Sequence, residues 1–316
     1  MAVLAAAAPL NRLADRRLPR ARRLMETLLD QPGWTVDELE ELVRRGEFGT
    51  IIDRTGVTKA APTPDDWYAL ILQTIVDAAA AAALPAAVAV VAETHPQAVL
   101  WASRYAGAAI RSVTDATRAA VRTLIADAIA FGGPPRVIAR DLAAVVGLDA
   151  RSAQAVVNYR REVERALSSA RSAAALRGRW TLAPGRLPPG AGKSLEARAD
   201  AMAGAYRVRL LRRRAENIAR TELQTAVARG QDIAWHETLD RDGELRGRAR
   251  RVWISALDAR TCARCRALHG QVVGFDEQFE GPLSTRVDAE VGPVGQLPPL
   301  HPGSCRCTTG LRFVDA

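Results

Sequence analysis

Between residues 112 and 177 the apolar side chains return at intervals of three and four, and this spacing limits the chain to packed helices. In 112-SVTDATRAAVRTLIADAIAFGG-133, residues Val121, Leu124, Ile125, Ala128 and Ile129 share one face, and Gly132 supplies the stop. Pro134 and Pro135 then open 136-RVIARDLAAVVG-147, where Val137, Ile138, Leu142 and Val145 again form a stripe that ends at Gly147. Asp149 is placed to cap a third helix over 150-ARSAQAVVNYRREVERALSSARSAAALRG-178. Composition agrees with this reading. Alanine is abundant and aromatic residues are only 5% of the 316-residue chain, a mixture that favours helices over strands.

The rest of the chain is punctuated by prolines, glycines and charge. Residues 1–60 read as a basic helical N-terminal arm: 12-RLADRRLPRARR-23 carries 6 Arg against 1 Asp. In 35-TVDELEELVRR-45, Thr35 precedes Glu38 by three residues in the manner of a capping box, and Gly46 follows as the stop. Residues 61–177 read as a helical region. The segment 178–194 is a Pro/Gly-rich linker, and its GAGKS ending is a decoy. A phosphate-binding loop needs glycine at the position of Leu187 and a strand before it, and the chain has neither.

Residues 195–316 begin with a long helix through 203–243 and then change period. The stretches 249-ARRVWISALD-258 and 271-QVVGF-275 are β-prone. The fold class expected is mainly α: a helical body with a small C-terminal α+β module stapled by a Cys/His cluster.

The apolar stretch 70–93 is interrupted by Asp77 and Pro85 and is largely alanine, so it reads as a buried or interface helix and not as a membrane span. The opening MAVLAAAAPL places its apolar run before the arginines, the reverse of a secretion signal. A formal charge of +9 and an isoelectric point near 10.2 suit an acidic partner, with a solvated basic surface as the plain alternative.

All 4 cysteines lie in the last 55 positions, in 261-TCARC-265 and 301-HPGSCRC-307. The spacing is C-x2-C, 39 residues, then C-x-C, with His301 four residues before Cys305. Four thiolates, or three with His301, complete a tetrahedral zinc site. Such a site supplies folding free energy to a module with few large apolar residues. Disulfides and ordinary thiols are the competing readings. A nucleic-acid deaminase is not expected: His236 is followed directly by Glu237, and Thr261, not proline, precedes Cys262. Four clustered thiols favour ligation over nucleophilic catalysis, although pairing of a cysteine with His269 or His301 stays open.

Three stretches together resemble the phage head morphogenesis family of Mu F-like minor head proteins. They are the I-A-R-T-E helix at Ile218 to Glu222, the run from Trp253 through Asp258, Arg260, Thr261, Cys262, Cys265 and Leu268 to Gly270, and 298-PPLHPGSCRC-307. The match covers about residues 215 to 310. The resemblance implies a non-enzymatic minor head protein of a tailed phage or prophage, housed in the virion interior. It would associate with the portal and with coat or scaffold protein, act in DNA packaging or ejection, and require no membrane.

On that reading Arg207, Arg209, Arg212, Arg213 and Arg214, with the arm arginines from Arg16 to Arg23, are the candidates for contact with the portal or, non-specifically, with DNA. Arg220, Glu222, Trp253 and Asp258 are expected to be structural, with Arg220 reaching Asp258 or a backbone carbonyl; a solvated polar face is the alternative for Arg220 and Glu222. A zinc-stabilised nucleic-acid-binding protein outside any phage particle is the alternative function.

Overall fold

The computed structural model describes residues 7–30, 34–55, 64–82, 92–131, 134–168, 194–259, 261–279, 297–299 and 305–315. Among these are ten helices and three strands: α1 (Ala7–Leu29), α2 (Val36–Arg45), α3 (Phe48–Arg54), α4 (Pro64–Ala82), α5 (Pro96–Phe131), α6 (Pro135–Ala143), α7 (Ala150–Ser168), α8 (Leu195–Leu239), α9 (Gly243–Arg248), β1 (Ala249–Ile254), α10 (Ala263–Leu268), β2 (Val272–Gly274) and β3 (Thr308–Phe313). The fold is mainly helical, as expected, with a small sheet near the C-terminus. Apart from Ser194, the linker expected over 178–194 lies outside the described residues.

The chain forms two compact units that interleave in sequence. One comprises Glu26–Ala61 and Ile110–Ala215. Here the caps expected from sequence form: Thr35 and Glu38 close a capping box on α2, and Gly46 adopts a left-handed conformation (φ 70°) behind it. Asp149 accepts from the Ser152 amide (3.0 Å) at the start of α7. The core of this unit includes Tyr159, Val163, Ala199 and Met202, where α7 meets the first half of α8.

Around that core the helices are tied by arginine and carboxylate pairs. Arg136 of α6 bridges Asp37 (3.0 Å) and Glu40 (2.8 Å) of α2, and Arg160 of α7 donates to Asp200 of α8 (2.8 Å). Buried Asp141 faces Arg160 and Arg161. Burial pushes its carboxyl above the ordinary aspartate range despite the two guanidiniums.

The other unit comprises Met1–Met25, Pro62–Ala109 and Glu216–Ala316. Its α1 buries Leu10, Leu13, Ala14, Ala21 and Met25 along one face, so the residues expected as an arm are packed from Leu10 onward. Arg17 points inward and bonds Asp77 and the Thr74 hydroxyl (3.0 Å) of α4. A Cβ at Gly230 would run into the carbonyl of Ile75, so only glycine permits α8 to approach α4 this closely.

From Thr221 to Asp232 nearly every residue of α8 is buried, polar ones included. A helix buried on all sides explains why this stretch lacks a clean apolar stripe in sequence. The sheet follows with order β2-β1-β3, both pairings antiparallel, and a register that sets Ala249 opposite Phe313 and Trp253 opposite Thr309. No helix among the described residues is long and apolar enough to cross a membrane.

Candidate metal centre

The site hangs from the central strand. Along β1, Ala249, Arg251 and Trp253 alternate onto one face. Ala249 enters an apolar cluster with Trp235, Leu239, Phe275 and Leu311, whereas Trp253 enters a second cluster with Cys265, Leu268, Phe279, Cys305 and Cys307. Between the two, Arg251 reaches back to α8 and donates to Asp232 (2.8 Å), both side chains being buried. Gln231, the preceding residue of α8, is fully buried and donates to the Thr309 carbonyl of β3 (2.8 Å). Two adjacent polar residues of the long helix thus fix β1 and β3, the strands that flank the cysteine-bearing segments.

After β1 the chain turns through Leu257 (φ 54°), an exposed leucine in the left-handed region, and Asp258, whose amide bonds Thr261 Oγ1 (3.1 Å). Cys262 then caps α10: its sulfur accepts from the Cys265 amide at 3.4 Å, the bond expected of a C-x2-C knuckle wrapped around an ion. Gly270 (φ 80°) reverses the chain after α10, and its amide returns to the Trp253 carbonyl (2.9 Å). The knuckle is therefore sutured to the strand on both sides.

Cys265, Cys305 and Cys307 are buried, and their sulfurs lie within 4.8 Å of one another. The Cys265 and Cys305 sulfurs are 3.9 Å apart. Two thiolates on a tetrahedral zinc, each with a bond of about 2.3 Å, stand about 3.8 Å apart, so the spacing fits shared coordination. It is far beyond the ~2.05 Å of a disulfide bond, and the four cysteines are not joined in disulfides.

Burial, with the neighbouring Cys305, pushes the Cys265 thiol up to about 12. Cys307 is held below its ordinary value by its hydrogen bond with Cys305, against burial, with help from the Ser255 hydroxyl at 3.4 Å. For Cys262, burial opposes ionisation, but the amide and thiol of Cys265 and the amide of Arg264 lower its value overall. Crowded thiols that resist simultaneous ionisation favour a cation in their midst.

Cys262 stands beside this trio, partly exposed and packed against the same cluster. His301 lies outside the described residues. His269 supports the backbone instead of the sulfurs, since its Nδ1 accepts from the Ser255 amide (3.0 Å) and fixes the chain leaving β1. Sequence reasoning did not single out Ser255 or Arg306. Ser255 touches Cys307 and donates to the Cys265 carbonyl (2.5 Å), and its one sequence signal is its place two residues after Trp253. Arg306, between the paired cysteines, bonds Asp258 and clamps the two halves of the site together.

The pairing expected between Arg220 and Asp258 is not formed. Arg220 instead contacts Glu216 (3.1 Å), one turn back, and Asp15 of α1 (3.5 Å), because it lies on the α8 face that meets α1. Glu222 is almost completely buried, which removes the solvated alternative for it. Of the five arginines clustered on α8, two are turned inward. Arg207 donates to Asp30 (3.0 Å) and the Val146 carbonyl (2.9 Å), and Arg214 donates to Thr117 (3.1 Å) and the Gly147 carbonyl. Burial lowers the pKa of Arg214. These two are structural, because carbonyls at the end of a neighbouring element attract a guanidinium more firmly than solvent does. Arg209, Arg212 and Arg213 are exposed.

Residues 191–310 match the family described as Phage Mu protein F like protein. The chain is similar to that family over this C-terminal region. That match spans the long helix, the suture between α8 and the sheet, and all four cysteines of the Mu F-like region. No curated protein and no solved structure matches the chain. The likeness points to phage head morphogenesis.

Proposed function

We propose that the chain is a minor head protein of a tailed phage or prophage, incorporated into the procapsid at the portal and acting in DNA packaging or ejection. The observation that carries this reading is the Mu F-like match over residues 191–310, a range that contains all four cysteines. In this reading the protein is a non-enzymatic part of the head interior, with the portal and a coat or scaffold protein as partners. Its buried cysteines support a structural role over a nucleophilic one, since a reactive thiol needs access to substrate.

Zinc is the ion proposed for the centre, because buried thiolate sulfurs at tetrahedral spacing suit a soft, closed site. Cys265, Cys305 and Cys307 would hold it, with Cys262 or His301 as the fourth ligand. Bound there, the ion supplies cohesion to a module whose two apolar clusters are small.

Assembly provides the test. Procapsids formed by the cognate coat, scaffold and portal proteins are isolated with this protein co-expressed, then with portal omitted. Incorporation that requires portal supports the reading. Exclusion from procapsids in both cases rejects it and favours the nucleic-acid-binding alternative.

A further inference from the structure

Leu257 is held where neither its backbone nor its side chain is favoured. It follows β1 at φ 54°, in the left-handed region that glycine, asparagine and aspartate tolerate and a bulky side chain resists. Burial does not compensate for this conformation, because the side chain is 53% exposed. The turn that carries it is nevertheless well braced. The Thr261 amide donates to the Asp258 carbonyl (3.0 Å), and the Asp258 amide donates to the Thr261 hydroxyl (3.1 Å). Arg306 bonds the Asp258 carboxylate, and Arg266 reaches the Thr261 carbonyl (3.4 Å). The result is an apolar knob with two guanidiniums anchored in the same turn and small exposed neighbours, Ala256 and Ala259. A strained residue kept in water is accounted for by a surface that covers it.

A surface of matching character lies in the other compact unit of the chain. Glu26, Thr27 and Asp30 at the end of α1, with Val208, Leu211 and Arg212 of α8, line a cavity of about 260 Å³. A cavity of about 150 Å³ holds a benzene ring, so this one holds a leucine side chain with room for part of its turn. Leu211 is buried there, whereas Val208 and Leu257 are two of the four large apolar side chains exposed among the described residues. The charges are complementary too. Glu26 and Asp30 set carboxylates against the arginines of the knob, and Arg212, which bonds no other described residue, complements Asp258.

We infer that Leu257 of one copy of this chain docks into the cavity between Glu26, Asp30, Val208 and Leu211 of a second copy. Knob and socket are different patches, so the contact is heterologous, and a copy that has been captured still offers its own socket to a third. An apolar socket with carboxylates at its rim also explains how a chain of net charge +9 binds itself, since its arginine-rich surfaces otherwise repel. The interface is small and edged with charge, so the association is weak and weakens further in salt. The inference goes beyond the head-protein reading and holds whether or not the chain enters a procapsid.

The experiment is sedimentation velocity of the full-length protein, reduced and freed of nucleic acid by nuclease, from low to high micromolar concentration. The parent is expected to form dimers and then longer species as concentration rises. Leu257→Asp and Val208→Arg should each weaken this association at least tenfold. Mixed in equal amounts, the two variants should form a dimer that grows no further, because the first keeps only an intact socket and the second only an intact knob. Should the aspartate variant fold poorly, Leu257→Asn takes its place. Asparagine suits the left-handed backbone, so this variant is expected to melt no lower than the parent and still lose the association. A parent that stays monomeric throughout would overturn the inference, as would variants that associate like the parent or a mixture that stays monomeric. None of these results bears on procapsid incorporation, so failure here is distinct from failure of the head-protein reading.

Discussion

The C-terminal module over β1 to β3 and the unit formed by Glu26–Ala61 and Ile110–Ala215 achieve order by opposite means. The helical unit distributes its cohesion over many contacts: a tyrosine-centred core, two well-formed caps, and arginine pairs that cross between α2, α6, α7 and α8. Removing any one of these leaves the others. The module concentrates its cohesion in two small apolar clusters, one of which includes three buried cysteines. Small sheets with little core need a staple, and a staple makes stability depend on a few atoms.

That contrast is broken most severely at the sulfurs. Cys265→Ser or Cys305→Ser should abolish metal binding and unfold the module, because apparent metal-binding free energies of about 10–16 kcal/mol at such sites are folding free energy. Hydrogen exchange is the discriminating readout. Amides of β1 and β3 should lose protection while those of α6 and α7 keep it. A chelator should give the same pattern, and so should acidification, since protons compete with the ion for thiolates. Retained metal and unchanged protection in the serine variants would remove the staple from the account.

A smaller effect is expected at the suture between the module and the long helix. Arg251→Met keeps much of the volume but removes the guanidinium that lies over the Phe275 ring and leaves Asp232 without its buried partner. Breaking a buried pair costs about 3–5 kcal/mol, and the low end applies here because Arg229 still reaches Asp232 (2.7 Å). Thermal melting followed by tryptophan emission should show a lowered transition, with metal still bound. Loss of metal together with the melting change would mean that Arg251 shapes the centre itself.

The same contrast explains what could be read in the sequence. Local devices were legible, because a Thr35–Glu38 box or a Gly46 stop acts within one turn and needs no distant partner. The cysteines were legible by spacing, and β1 by its alternation. What could not be read is non-local. β3 (TTGLRF) has no strong alternation of its own and becomes a strand because β1 lies beside it, with Ala249 opposite Phe313 across the sheet. The start of α5 at Pro96 was equally hidden, since its alanine-rich first turns lack a sharp apolar stripe. Arg207 and Arg214 looked like surface charge until the chain brought the carbonyls of Val146 and Gly147 to them. Buried polar residues such as Gln231 and Asp232 break the apolar pattern that would have marked them as core.

The smallest expected effect tests whether the helical unit is as redundant as its many pairs suggest. Asp141 is buried, and its carboxyl is held above the ordinary aspartate range chiefly by burial, with Arg160 and Arg161 only partly offsetting this. The native state therefore takes up a proton that the unfolded chain, with its lower pKa, does not yet bind. As pH rises from the unfolded pKa through the folded one, ionisation costs the native state more than the unfolded one, so this group's contribution to stability declines and then levels off. Asp141→Asn removes the ionisation while keeping the shape. The variant should be as stable as the parent at the acid end of that window and somewhat more stable at neutral pH. Urea melts of this unit, followed by circular dichroism on either side of the window, measure the difference. Marked destabilisation at neutral pH would show instead that the charged carboxylate, gripped by two arginines, is one of the contacts the unit cannot lose. In that case the helical unit would depend on a single buried group much as the module depends on its sulfurs.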